Sequence, residues 1–130
     1  LCGPEAWLAE FEKIRLPYNI NILTQASAAF ALDHHAVFDE QARLIREERT
    51  ALDAALRAID GLQVYPSQAN FILFRTPAGR ASAVFESLKE KGVLIKNLSG
   101  QGGVLADCLR VTVGTPKENT SFLAALEASL

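Results

Sequence analysis

Apolar residues recur at helical spacing through the first half of the chain, and parts of the second half alternate with a period of two. Trp7, Leu8, Phe11 and Ile14 predict a short amphipathic helix. It opens on Gly3-Pro4-Glu5, with proline at the first helical position, and Pro17 ends it. Tyr18-Asn19-Ile20-Asn21 reads as an irregular link in which Asn21 caps a helix over 22–32. That helix is apolar nearly all round, which predicts burial on several sides. Asp33-His34-His35 interrupts, and a long helix then runs to about Ile59 and stops at Gly61. Its apolar seam is Phe38, Ala42, Ile45, Leu52, Leu56 and Ile59, broken only by Arg49.

Beyond Gly61 the pattern changes. A Tyr65-Pro66-Ser67 turn precedes a strand over 70–75, closed by Thr76-Pro77. Residues 80–91 predict a helix with Val84, Phe85 and Leu88 inward, stopped by Gly92, and 93–96 predict a second strand. A glycine-containing loop over 99–107 leads to a third strand over 108–113 with strict alternation. Thr115-Pro116-Lys117-Glu118 is a capping box opening the last helix, whose inner face is Phe122, Leu123 and Leu126. The expected fold class is α/β, an α+β layer pair: N-terminal helices followed by β-α-β-β-α with a three-stranded sheet. The economical topology puts the third strand between the first two, antiparallel to both, with a right-handed crossover joining strands one and two.

Composition narrows the partners. The chain has 130 residues, 49% hydrophobic and 22% charged, enough for a core. Thirteen basic against fifteen acidic residues provide no excess to neutralise nucleic-acid phosphates. No apolar run approaches the roughly 20 residues of a membrane helix. Cys2 and Cys108, far apart in the chain, do not read as a disulfide framework or a metal cluster, which suits a reducing, cytoplasmic compartment. The chain lacks methionine altogether, and its Leu1-Cys2-Gly3-Pro4 opening reads as though cut from something longer.

Few residues offer chemistry. Leu109, Val111 and Val113 share one face of the third strand, so Arg110 and Thr112 share the other. A guanidinium on a strand is rigidly aimed and binds a carboxylate through two parallel hydrogen bonds. By spacing alone, Arg110 reads equally as a solvated-face arginine. Lys96, near the end of the neighbouring strand, brings a second cation or simply guards a sheet edge. The His34-His35 pair has no ligand at metal spacing. The Gly100-Gln101-Gly102-Gly103 loop leads into a strand, whereas phosphate-cradling loops open a helix. Ser67, Ser82 and Ser99 have no base that sequence identifies. Arg49 reads as a snorkelling residue or as a buried ion-pair former.

The order of motifs is familiar. Leu16-Pro17-Tyr18-Asn19-Ile20-Asn21, Gln25-Ala26 and Glu47-Glu48-Arg49 occur in sequence, followed by Pro66-Ser67-Gln68-Ala69-Asn70-Phe71 and Gly92-Val93-Leu94-Ile95-Lys96. The strongest motif is Leu109-Arg110-Val111-Thr112-Val113-Gly114-Thr115-Pro116-Lys117-Glu118-Asn119. Together they resemble the C-terminal part of the histidinol-phosphate aminotransferases, within the fold-type-I class I/II aminotransferases.

The resemblance implies a homodimeric pyridoxal-phosphate enzyme moving an amino group between glutamate and imidazole-acetol phosphate in histidine biosynthesis. It implies that Arg110 clamps the substrate carboxylate. Lys96 stands where the family commonly has an arginine near the substrate phosphate, which implies a phosphate contact that keeps the charge and loses the bidentate fork. Leu1-Cys2-Gly3-Pro4-Glu5 resembles the end of the strand that follows the Schiff-base lysine, so that lysine is expected upstream of Leu1. No cofactor-binding or metal-binding residue is then expected in this chain, and the chain alone is expected to be inactive. Residues 1–33 would close the large domain and form a linker helix. Residues 34–130 would form the long interdomain helix and the small domain. Another fold-type-I enzyme (an aromatic aminotransferase or a phosphothreonine decarboxylase) and a non-catalytic binding domain on this scaffold are the alternatives.

Overall fold

The computed structural model describes residues 3–18 and 20–130. The expected strand remnant at Leu1-Cys2 and the Asn19 position of the link lie outside the described residues. Two compact units emerge, one reaching Asp39 and the other comprising Glu40–Leu130.

In the first unit, α1 spans Glu5–Ile14. Pro4 is its N-cap rather than its first helical residue, with ψ at 140°, and its carbonyl accepts from the Trp7 and Leu8 amides. Proline serves there because its fixed φ suits the extended backbone that precedes a helix. α2 spans Ile22–Asp33, and Asn21 Oδ1 accepts from the Thr24 amide at 2.9 Å, as expected. None of its residues is buried, contrary to the expectation of burial on several sides. Alanine-rich propensity and a good cap support this helix, and its apolar surface remains exposed.

α3 spans His35–Arg57. Its outer face carries Arg43 paired with both Glu40 and Glu47, and Arg57 paired with Asp53. The seam divides along its length: Leu52 and Leu56 are buried, whereas Phe38 and Ile45 are exposed. Gly61 takes a φ of +85°, the left-handed turn that lets the chain leave the helix.

Among the described residues the sheet has four strands rather than three. Its order is β1-β2-β4-β3 and every neighbouring pair is antiparallel. β1 is Gln63–Val64, β2 Phe71–Arg75, β3 Lys96–Asn97 and β4 Cys108–Thr112. The extra strand β1 is a two-residue ladder with one buried side chain, too short for alternation to register. β3 is shorter than the expected 93–96. The Val93 amide is still bonded to the Leu88 carbonyl, so the chain leaves α4 too late to pair earlier. The central placement of β4 matches the expected topology.

α4 (Ala81–Glu90) and α5 (Pro116–Glu127) complete the fold. Ile72 and Phe74 of β2 and Leu109, Val111 and Val113 of the β4 segment face a core shared with α3, α4 and α5. Phe74 and Phe122 meet there with ring centres 6.2 Å apart. The other face of the sheet carries Phe71, Leu73, Arg75, Arg110, Thr112 and Lys96.

Candidate functional site

Arg110 sits in β4, an inner strand, half-buried and on the face opposite the core. Buried Leu109 and Val111 fix that orientation, because a turn about the strand would put both in water. Leu73 stands opposite it on β2 and Lys96 stands opposite it on β3, so the three form one row across the sheet. The structure therefore brings both sequence-predicted cations together. The Arg110 guanidinium carbon lies 4.8 Å from the centre of the Phe71 ring, a cation–π contact that steadies the group and leaves its N–H fork free. Among the described residues, Arg110 and Lys96 have no hydrogen-bond or ion-pair partner.

Arg75, on the same face, provides the contrast. Its Nη2 donates to Val104 O at 2.8 Å, its Nε to Ala106 O at 3.1 Å and its Nη1 to Gln63 Oε1 at 3.2 Å. It pins the 99–107 loop over Cys108, which is buried although it shares Arg110's face by alternation. The glycine-containing loop is two 3-10 turns, Ser99–Gln101 and Gly103–Leu105, tied down by Arg75. One arginine is consumed by structure and the other is available to a ligand.

Most of the remaining candidates have local partners. His34 stacks on Phe30 at 4.1 Å, with Nδ1 against Phe30 O, and His35 Nδ1 lies 3.2 Å from Leu32 O. Among the described residues no group of three or more His, Cys, Asp or Glu side chains could hold a metal, and no helix is long and apolar enough to cross a membrane. Ser67 Oγ donates to Phe71 O and accepts from the Ala69 amide, closing the turn before β2. Among the described residues Arg49 pairs with no carboxylate: its Nη1 donates to Ala69 O at 3.1 Å and its Nη2 to Gln68 Oε1 at 3.4 Å. A break in an apolar seam was the signal for that tie.

Two further residues escaped sequence reasoning. Phe71 stands in a strand and in a motif that assigned it no contact, and its ring contact depends on the β2–β4 register. Asn119 is buried at 6% exposure, with its carboxamide fully bonded. A groove of about 790 Å³ runs between residues 92–95, the end of β4 and the start of α5, and neither Arg110 nor Lys96 lines it.

The lysines do not fit a pyridoxal phosphate imine. Lys13, Lys89, Lys91, Lys96 and Lys117 are all exposed. Lys13 pairs with Glu10, Lys89 with Glu86, and Lys91 bonds Ser87 and Ser129. None lies in a desolvated pocket that would favour the neutral amine such a bond requires.

Residues 1–126 match the family model of aminotransferase class I and II. Histidinol-phosphate aminotransferase 2 of Nitrosococcus oceani is 64% identical over 128 residues, covering 98% of this chain and 36% of that protein. Among solved structures, the histidinol-phosphate aminotransferase from Clostridium acetobutylicum aligns with a TM-score of 0.79 and 26% identity, over 92% of this chain and 36% of that one. The L-threonine-O-3-phosphate decarboxylase from Porphyromonas gingivalis aligns with a TM-score of 0.79 and 28% identity, over 96% of this chain and 39% of that one. The chain thus spans about a third of the length of the curated relatives it matches. Its sheet, its capping box and nearly all of its length carry one family's pattern, and the chain belongs to the class I and II aminotransferases.

Proposed function

We propose that this chain is the C-terminal portion of a pyridoxal-phosphate-dependent transaminase acting on histidinol phosphate in histidine biosynthesis. The row formed by Arg110 and Lys96 carries the reading. Two unpartnered cations stand side by side on one sheet face, suited to a substrate with a carboxylate and a phosphate. Arg110 takes the carboxylate through its fork and holds the amino acid in one orientation, so that the reacting carbon is presented consistently. Lys96 supplies a point charge toward the phosphate. Residues 1–33 belong to the end of a large domain and a linker helix, and residues 34–130 to an interdomain helix and a small domain. Movement of the small domain over the substrate would exclude water.

Pyridoxal phosphate supplies the electron sink for amino-group transfer. The lysines of this chain do not suit an imine with it. On this reading the imine-forming lysine belongs to another part of a longer, homodimeric cytoplasmic enzyme. The 130-residue chain alone is inactive on this reading. Borohydride trapping of stoichiometric pyridoxal phosphate on a single lysine of the chain would contradict that.

The test is a substrate panel on the full-length enzyme containing this chain. Histidinol phosphate with 2-oxoglutarate should support transamination, and removing the substrate phosphate should abolish most of it. Activity indifferent to the phosphate would overturn the proposal. The likeness to a phosphothreonine decarboxylase supports a second reading. Release of carbon dioxide from phosphothreonine, without transamination, would select it.

A further inference from the structure

Glu48 and Arg49 are neighbours on α3, and they tie the helix to the same end of the sheet. Arg49 donates to Ala69 O at 3.1 Å, just before β2 begins. Glu48 Oε2 accepts from Asn119 Nδ2 at 2.9 Å. Asn119 in turn bonds Gly114, just past the end of β4: its Oδ1 accepts from the Gly114 amide at 2.9 Å and its Nδ2 donates to Gly114 O at 3.1 Å. The two gripped segments are joined to each other, since the Val113 amide donates to Asn70 O at 2.8 Å.

The Asn119 carboxamide thus exchanges one donor and one acceptor with a single backbone residue. A neighbouring strand makes the same exchange in an antiparallel ladder. It does so where β3 no longer can, because β3 pairs with β4 only at Lys96–Arg110 and Asn97–Leu109. Past Arg110 that edge of β4 faces the 92–95 groove rather than a strand. Gly114 makes the close approach feasible: a Cβ there would lie 2.9 Å from Glu118 Cβ and 3.0 Å from Glu118 Oε2.

We propose that Asn119, anchored by Glu48, is a positioning residue for Arg110. It substitutes for the missing strand partner at the end of β4 and holds the strand so that the Arg110 fork keeps its aim. The proposal rests on the reading of Arg110 as the carboxylate-binding group. Bidentate binding tolerates little displacement, so loosening the strand weakens substrate binding before it affects the chemical step.

The test uses the full-length enzyme, assayed well below its melting temperature. Asn119→Ala should raise KM for the amino-acid substrate about tenfold, with kcat within a factor of about two. Glu48→Leu should act in the same direction, whereas Glu48→Gln, which keeps an acceptor oxygen for Asn119 Nδ2, should restore KM. Where Asn119→Ala does not fold, the two Glu48 variants carry the test, since both leave the Gly114 exchange in place. A lowered melting temperature with KM unchanged would overturn the proposal, and so would equal KM values for Glu48→Leu and Glu48→Gln. An unsubstituted enzyme without transaminase activity would refute the reading of Arg110 instead. Hydrogen exchange in the 130-residue chain then decides the clamp. Faster exchange at the Val113 and Gly114 amides in Asn119→Ala supports it, and unchanged exchange overturns it.

Discussion

Lys96 and Arg110 stand directly opposite each other across the β3–β4 ladder, two cations on one face with no carboxylate bonded to either among the described residues. Like charges opposite each other destabilise a sheet pair. Replacing Lys96 with threonine, a strand-favouring neutral residue, should therefore stabilise the chain by about 0.2–1 kcal/mol in urea unfolding. The gain should shrink in high salt, where exposed charges are screened. The same substitution should weaken binding of a phosphorylated substrate to the full-length enzyme. A gain in stability with a loss in affinity would show that the cation pair is kept for its ligand.

Phe71 is the only ring against the Arg110 guanidinium among the described residues. Phe71→Leu keeps apolar bulk and removes the π face. A cation–π contact that keeps access to water is worth about 0.5–1 kcal/mol, so KM for the amino-acid substrate should rise about twofold to fivefold. Folding stability of the chain, followed by circular dichroism, should change less than on truncation to alanine.

The two compact units should respond differently to the same truncation. Leu56 is fully buried on α3, and Leu56→Ala should cost about 2–5 kcal/mol. Leu23 on α2 is 77% exposed, and Leu23→Ala should change stability by no more than about 0.5 kcal/mol. Urea unfolding of the two variants beside the parent chain measures both.

Legibility followed the length and regularity of each signal. Strict alternation in β4 placed Arg110 on the correct face, because three buried positions two apart leave one orientation for the residues between them. The Thr115 capping box was equally plain, being a local arrangement of four adjacent residues. β1 was hidden because two residues carry no period, and β3 was overdrawn because Val93, Leu94 and Ile95 look like a strand although the turn at α4 holds them out of register. The burial assigned to α2 followed its composition alone, and exposure is not a property of composition. Asn119 was the deepest omission. A polar residue in the first turn of a helix reads as solvated, and only the close return of the chain past Gly114 shows that its amide faces inward.

Glu118 makes the acid limb of stability testable. The Thr115 amide and hydroxyl donate to Glu118 Oε2 at 2.8 and 2.7 Å, and these bonds hold its carboxyl below the ordinary carboxylate range. A group whose folded pKa is depressed binds protons more readily when unfolded, so stability rises with pH through that interval. Its contribution is complete above the unfolded value of about 4.3 and is lost as pH falls through the folded one. Glu118→Gln keeps an oxygen for the Thr115 amide but cannot titrate. Between about pH 6 and 3, the melting temperature of the parent chain should therefore fall more steeply than that of Glu118→Gln. Glu40, also depressed through its bond to Arg43, titrates in both proteins and cancels from the difference. Parallel acid limbs would place the titrating carboxylates elsewhere and leave the capping box with a role in geometry alone.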